Sequence, residues 1–252
     1  MSDLRGTHVF IIGGSRGIGA ASARMAAQRG AQVSITYRDR EDAAQAVVAS
    51  IRSAGGKASA HRADVVDETQ VREAMRAAAA EFGAPRAVVV SAGVFEHATI
   101  ENMSSEFWNR TMDINLTGTM WSVKAAAELM RGGSGGSIVI YTSTAGQSGG
   151  GDGAAAYCVS KAGQIMFMKC MAMELAKHRI RVNCIAPAWT ETDMAAASLE
   201  RLGRDKVAKS FPLGRIGLPD DVAKATCFLL SQESEFITGT TVTVDGGIAM
   251  RG

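Results

Sequence analysis

The sequence predicts an α/β fold: one doubly wound, parallel sheet of seven strands with helices on both faces, in a single domain spanning residues 1–252. Three observations predict it. Short β-branched runs alternate with longer Ala-rich segments over almost the whole chain, as successive β-α units do. The first apolar run leads at once into a glycine-rich turn that opens an Ala-rich segment. The composition, 46% hydrophobic and 21% charged over 252 residues, is that of a globular chain long enough to bury a full core.

In chain order, strands are expected near residues 8–12, 32–37, 57–61, 87–91, 137–141, 181–185 and 240–244, and helices near 17–29, 41–54, 68–81, 105–130, 155–176 and 220–230. Right-handed crossovers then place helices on both faces of a Rossmann-like sheet. Two glycine-rich passages interrupt the pattern. Residues 132–136 join a long helix to a strand and read as a surface connection, whereas residues 149–153 lie just before the candidate catalytic residues, where flexibility bears on substrate entry. Residues 190–211 break the alternation and read as an insertion lying over the site as a lid.

Charge and cysteine usage narrow the function. The 27 basic and 25 acidic residues are mixed along the chain, giving a net charge of +2 and no basic stripe for nucleic acid or an acidic membrane surface. No apolar stretch reaches bilayer length, and the N-terminus has no signal-peptide pattern. Cys158, Cys170, Cys184 and Cys227 lie far apart and read as reduced thiols, so the expectation is a soluble, cytoplasmic protein acting on a small molecule. His8, His61, His97 and His178 are scattered without ligand spacing, and no metal is expected.

The turn Gly13-Gly14-Ser15-Arg16-Gly17-Ile18-Gly19 is spaced G-x-x-x-G-x-G. Following a strand and opening a helix, it suits a dinucleotide: glycines let the backbone approach a pyrophosphate whose charge meets the helix N-terminus. The second strand ends at Tyr37-Arg38, with no carboxylate at its tip to hold ribose hydroxyls. Guanidinium groups at Arg38 and Arg16 suit a 2′-phosphate, so NADP(H) is favoured over NAD(H); solvated loop arginines are the alternative reading.

Tyr157 and Lys161 are four apart at the start of a helical segment and share one face. An ammonium held there lowers a phenol from its ordinary pKa toward the working range, which suits a proton shuttle. Ser143, past the end of the fifth strand, can hold a substrate oxygen while hydride arrives at carbon. Taken singly, these are an exposed helical pair and a turn serine.

Taken together, Ser143, Tyr157-Cys158-Val159-Ser160-Lys161 and the glycine turn closely resemble the short-chain dehydrogenase/reductase family, over nearly the whole chain to Asp245-Gly246-Gly247. The resemblance implies that Tyr157 is the general acid/base, that Lys161 tunes it and binds nicotinamide ribose, and that Ser143 orients the substrate oxygen. It also implies that Asn115 completes a proton relay through water to Lys161, where the residues alone would read it as a mild helix defect. Asp64-Val65 resembles the adenine-contacting pair, and residues 187–192 resemble the segment that grips the carboxamide, from Pro187 to the hydroxyl of Thr192. A helix cap and a loop hydroxyl are the alternatives for Asp64 and Thr192. Ser91-Ala92-Gly93 stands where the family usually has Asn-Ala-Gly, Ile12 where it has threonine, and Ala188 where glycine is common. Altered detail in the central sheet is expected, with the chemistry kept.

The resemblance further implies a homotetramer. Met166, Met168, Met171 and Met173 with Phe167, on the Tyr157 helix, read as core or subunit interface. The stretch from Pro212-Leu213-Gly214-Arg215 onward looks like that of 3-oxoacyl-(acyl-carrier-protein) reductases. The activity implied is hydride transfer between NADP(H) and a ketone, secondary alcohol or 3-oxoacyl group. A dinucleotide-sensing binding protein and an NAD-dependent alcohol dehydrogenase are the competing readings. Phe95, Glu96, His97, residues 149–153 and Trp189 are the candidate substrate-pocket residues.

Overall fold

The structure, a computed structural model, describes residues 3–251. Seven parallel strands form one sheet in the order β3-β2-β1-β4-β5-β6-β7. They are β1 (His8–Ile12), β2 (Gln32–Tyr37), β3 (Lys57–Arg62), β4 (Ala87–Val90), β5 (Gly136–Tyr141), β6 (Ile180–Pro187) and β7 (Thr241–Val244). The doubly wound fold is as the sequence predicts. Helices α1 (Gly17–Gln28), α2 (Glu41–Ser53), α3 (Glu68–Phe82), α4 (Ser105–Met112), α5 (Gly118–Met130), α6 (Ala145–Ser148), α7 (Ala155–Leu175), α8 (Asp193–Leu202), α9 (Arg204–Ser210) and α10 (Pro219–Leu230) connect them.

The central strands are buried on both faces, which is why they read as unbroken apolar runs. Successive side chains alternate between two cores: Phe10, Ile12, Val88 and Val90 enter one, and Val9, Ile11, Val33 and Val89 the other. Ile12, pairing with Val90 across β1 and β4, is 1% exposed. Burying that side chain contributes about 2–3 kcal/mol, more than the roughly 1 kcal/mol net of a threonine hydrogen bond, so packing holds the sheet where a hydroxyl is replaced.

One expected element is corrected. The single helix over 105–130 is divided by a π-helical turn, Asp113–Thr117, which carries Asn115. The extra residue shifts the helix register and brings Gly118 onto the β3–α3 loop, where a Cβ would lie 2.9 Å from Val65 Cγ2. Residues 190–211 contain α8 and α9, which close a small core of Ala195, Leu199, Val207, Phe211 and Ile216.

The strand order reverses between β1 and β4, so the carboxyl ends of these strands diverge and leave a crevice. That crevice positions the site. Among the described residues no helix is long and apolar enough to cross a membrane.

Candidate active site

A cleft of about 470 Å³ runs along the carboxyl edge of the sheet. All the predicted site residues except Gly19 and Asn115 line it. At one end lies the glycine turn. Gly13 takes φ +79, and a Cβ there would lie 2.7 Å from Ala92 N, so only glycine fits between the β1 and β4 ends. Gly19 lies behind the turn, where a Cβ would fall 2.3 Å from the Gly13 carbonyl oxygen; its work is close packing of α1.

The turn fits a dinucleotide on its own geometry. Arg16, the α1 N-cap residue, makes no capping side-chain hydrogen bond, and the first turn holds no acidic residue. No capping side chain and no carboxylate of the helix's own first turn occupies the first amides of α1, as suits an anion-binding helix terminus. Gly13 N–H donates to Thr36 Oγ1 at 3.0 Å, and Gly14 N–H to the Thr36 carbonyl at 3.1 Å, which ties the turn to β2. Thr36 also lines the cleft and was not singled out in the sequence, because strand pairing alone brings it to the turn.

At the β2 end the cleft wall includes Arg38, Asp39 and Arg40. Asp39 and Arg40 are additions whose signal was the charge cluster following Tyr37. Arg38 Nε donates to Asp39 at 2.6 Å, with both side chains about half exposed. Such a surface pair contributes about 0–1 kcal/mol, so a phosphate can replace the carboxylate at little cost. Asp64 is not a helix cap; Asp67 caps α3, accepting from Thr69 N at 2.9 Å and Gln70 N at 3.1 Å. Thr192, by contrast, is the N-cap of α8, its hydroxyl accepting from Ala195 N at 3.3 Å and donating to the Thr190 carbonyl at 3.3 Å.

At the other end, Ser143, Tyr157 and Lys161 come together. Thr142 Oγ1 donates to the Lys161 carbonyl at 2.7 Å and fastens α7 to the end of β5. Gly146 allows the close approach, since a Cβ there would lie 2.7 Å from the Lys161 carbonyl carbon. The Ser143 hydroxyl donates to the Pro187 carbonyl at 3.5 Å and accepts from Ala145 N at 3.1 Å, and it shares the cleft wall with the Tyr157 phenol. Phe95 meets the phenol ring edge-on, with centroids 4.9 Å apart.

The electrostatics correct one expectation. The phenol is not lowered: burial pushes the Tyr157 pKa up to about 12, against the smaller opposing effect of the nearby Ser143 hydroxyl. Lys161, 5% exposed, lies 5.5 Å from the ring centroid and donates from Nζ to the Tyr141 carbonyl at 2.8 Å. Its own desolvation lowers it to about 8. Desolvation favours the neutral form of both groups and is the largest cause of each shift.

Asn115 stands behind this end of the cleft, fully buried. Its amide accepts from Val94 N at 2.8 Å and donates to the Val94 carbonyl and Ser160 Oγ, each at 3.0 Å. Gly93 separates it from the ammonium: a Cβ there would lie 3.2 Å from Asn115 Oδ1 and 3.5 Å from Lys161 Nζ. Among the remaining candidates, Phe95, Gly149, Gly150, Gly151 and Trp189 line the cleft. Glu96 pairs with Arg110, and His97 packs over Gly153. The methionines divide: Met168 is in the core, whereas Met166 and Met173 are exposed.

The family model described as enoyl-(acyl carrier protein) reductase matches residues 13–249. A solved short-chain type dehydrogenase/reductase from Mycobacterium marinum superimposes with a TM-score of 0.90 at 34% identity, covering 98% of this chain and 96% of that one. The chain is a short-chain dehydrogenase/reductase. Within the family it is 36% identical over 251 residues to the 3-oxoacyl-(acyl-carrier-protein) reductase of Synechocystis sp., covering 99% of this chain and 100% of that protein. It is also 36% identical over 250 residues to the L-rhamnose 1-dehydrogenase (NAD(P)(+)) of Sphingomonas sp., covering 98% of each. This short-chain dehydrogenase/reductase is thus an oxidoreductase of a family that uses NAD(P)(H).

Proposed function

We propose that the protein transfers a hydride between NADP(H) and a ketone, secondary alcohol or 3-oxoacyl substrate, with Tyr157 as general acid/base. The observation that carries the reading is that Ser143, Tyr157 and Lys161 line the same cleft as the glycine turn, with Lys161 Nζ 5.5 Å from the phenol ring centroid. A phenol with a pKa near 12 is protonated at neutral pH and is loaded to act as an acid. The dinucleotide, when bound, supplies or accepts the hydride at the substrate carbon.

The chain's own residues supply the rest. Ser143 holds the substrate oxygen beside the phenol, and Tyr157 Oη delivers its proton there as negative charge develops. Lys161 stabilises the tyrosinate left behind and holds the nicotinamide ribose. Asn115, sharing the Lys161 neighbourhood across Gly93, completes the relay that returns a proton. The glycine turn from Gly13 to Gly19 receives the pyrophosphate, Asp64 and Val65 the adenine, and Ser91, Ala92 and Gly93 the middle of the dinucleotide. Pro187 and Thr192 hold the carboxamide. Arg16 and Arg38, with Arg40 beside them, favour a 2′-phosphate.

Tyr157→Phe tests the acid. Turnover of a reducible ketone should fall by about 10²–10⁴ with NADPH binding retained, because only the proton donor is removed. Unchanged turnover would refute the role. Arg38→Asp should shift preference toward NADH; an unmoved ratio would exclude Arg38 as the phosphate reader. The homotetramer and the cytoplasmic location belong to the same proposal. The exposed Met166 and Met173 of α7 offer an apolar face for subunit contact, and light scattering would measure the assembly.

A further inference from the structure

We infer that the catalytic end of the cleft selects an uncharged, largely apolar ketone or secondary alcohol over a carboxylate-bearing substrate. The inference rests on the reading above and names the substrate class of that site.

The distribution of charge along the cleft carries it. Arg16, Arg38 and Arg40 all belong to the β1–α1 turn and the end of β2, where they face the dinucleotide half. The other cation in the wall is Lys161, and its ammonium already donates to the Tyr141 carbonyl at 2.8 Å. Asp193, also in the wall, interacts electrostatically with Arg40 and so belongs to the same charged half.

Around Ser143 and Tyr157 the wall is of another kind. Val94, Phe95, Ala145, Gly150, Ala154 and Trp189 line it, and none can ionise. Apolar surface begins beside the reacting hydroxyl, since Phe95 lies edge-on to the phenol at 4.9 Å. Gly150 backs onto the same patch: a Cβ there would lie 2.8 Å from the Cys158 thiol sulfur, 3.0 Å from Ala154 Cβ and 3.9 Å from Ala145 Cβ. Trp189 lies two residues beyond Pro187, whose carbonyl accepts from Ser143 Oγ at 3.5 Å. Glu96 pairs with Arg110 and the His97 ring fills the space above Gly153, while the one carboxylate beside the glycine passage, exposed Asp152, would repel an anion.

An ionised carboxylate entering this end would lose its hydration, and the one cation lining it, Lys161, is 5% exposed and held against the Tyr141 carbonyl. An apolar substituent loses nothing and gains contact with Phe95 and Trp189, while the small residues at 145, 150 and 154 leave it room.

The test compares two ketones with the same reacting carbonyl, ethyl acetoacetate and acetoacetate, following NADPH absorbance with the full-length protein. The ester should exceed the carboxylate at least tenfold in kcat/KM. Phe95→Arg should narrow that gap, mainly by lowering KM for acetoacetate. Equal or faster turnover of acetoacetate by the unaltered protein would overturn the inference and leave the oxidoreductase reading intact. If neither ketone nor any neutral ketone of a wider panel is reduced, the inference is also overturned, and NADPH fluorescence separates the causes. Retained NADPH binding would confine the failure to the substrate end; lost binding would bring down the cofactor reading with it.

Discussion

Gln164 donates from Nε2 to the main-chain carbonyl of Asn115 at 2.8 Å, joining α7, one turn beyond Lys161, to the π-helical turn. The same carbonyl accepts from Thr119 Oγ1 at 2.7 Å, and Gln164 Nε2 also donates to Thr119 Oγ1 at 2.6 Å. The π-turn is thus held by side chains in the interior, with Gln164 Oε1 buried and unpartnered. Gln164→Leu loses two hydrogen bonds but removes one orphaned acceptor, so the net loss should be about 1–2 kcal/mol in urea unfolding. Asn115→Ala should cost more, about 3 kcal/mol, because it also strands the Val94 amide and carbonyl. Equal losses would show that the Val94 tether contributes little.

Lys161 gives a pH signature with a definite sign. Its folded pKa of about 8 lies below the ordinary 10.5, so the folded state releases the proton first. Below pH 8 both states are charged and the fold bears the full desolvation penalty, about 3 kcal/mol for a shift of that size. Between pH 8 and 10.5 this penalty should vanish and stability should rise from this group. Raised groups such as Tyr157 and Cys184, both near 12, act in the opposite direction, so the comparison is with Lys161→Met. The unaltered protein should gain on the variant with rising pH across that window; parallel melting curves would contradict the buried charge.

Acid should weaken the fold through a chain of hydrogen bonds on β1, β2 and β3. His8 Nδ1 donates to the Gly83 carbonyl at 2.7 Å, leaving Nε2 to accept from Ser34 Oγ at 2.9 Å. Ser59 links Ser34 at 3.0 Å to His61 Nε2 at 3.0 Å. This direction requires neutral His8, and burial lowers the pKa of both histidines. A lowered folded pKa means stability is intact above pH 6.5 and lost as pH falls below it, when the unfolded chain takes up protons first. His8→Gln should flatten the stability profile between pH 6.5 and 5, measured by denaturant midpoint. An unaltered slope would place the acid sensitivity elsewhere.

Gly19→Ala tests the packing behind the dinucleotide turn. A Cβ 2.3 Å from the Gly13 carbonyl oxygen and 2.9 Å from Ser91 Oγ forces backbone to move. Overpacking of this kind costs about 2–3 kcal/mol, and the displaced turn should bind NADPH more weakly. Calorimetry and fluorescence titration read the two effects. A variant with native stability and affinity would show that α1 has slack against the sheet.

Most of the fold was legible because it is written in local patterns. Strands buried on both faces appear as apolar runs, and their predicted bounds differ by a residue or two from those formed, as at β6, which extends to Pro187. The glycine turn and the spacing of Tyr157 and Lys161 were legible for the same reason. The π-turn was not, because Gly118 could have been an ordinary helical residue until Val65 was found against it. Thr36 and Arg40 were missed because entry into the cleft depends on strand register and on how the chain leaves β2.

The sequence by itself determined the alternation of strands and helices, the place of the phosphate-binding turn, and the one-turn separation of phenol and ammonium, since each depends on neighbours within a few residues. Tertiary structure alone decided the protonation of those groups, the commitment of Lys161 to Tyr141, and the neutral wall beside Phe95. Desolvation and hydrogen-bond partnership are set by whatever folds back from distant parts of the chain, and no local spacing encodes them.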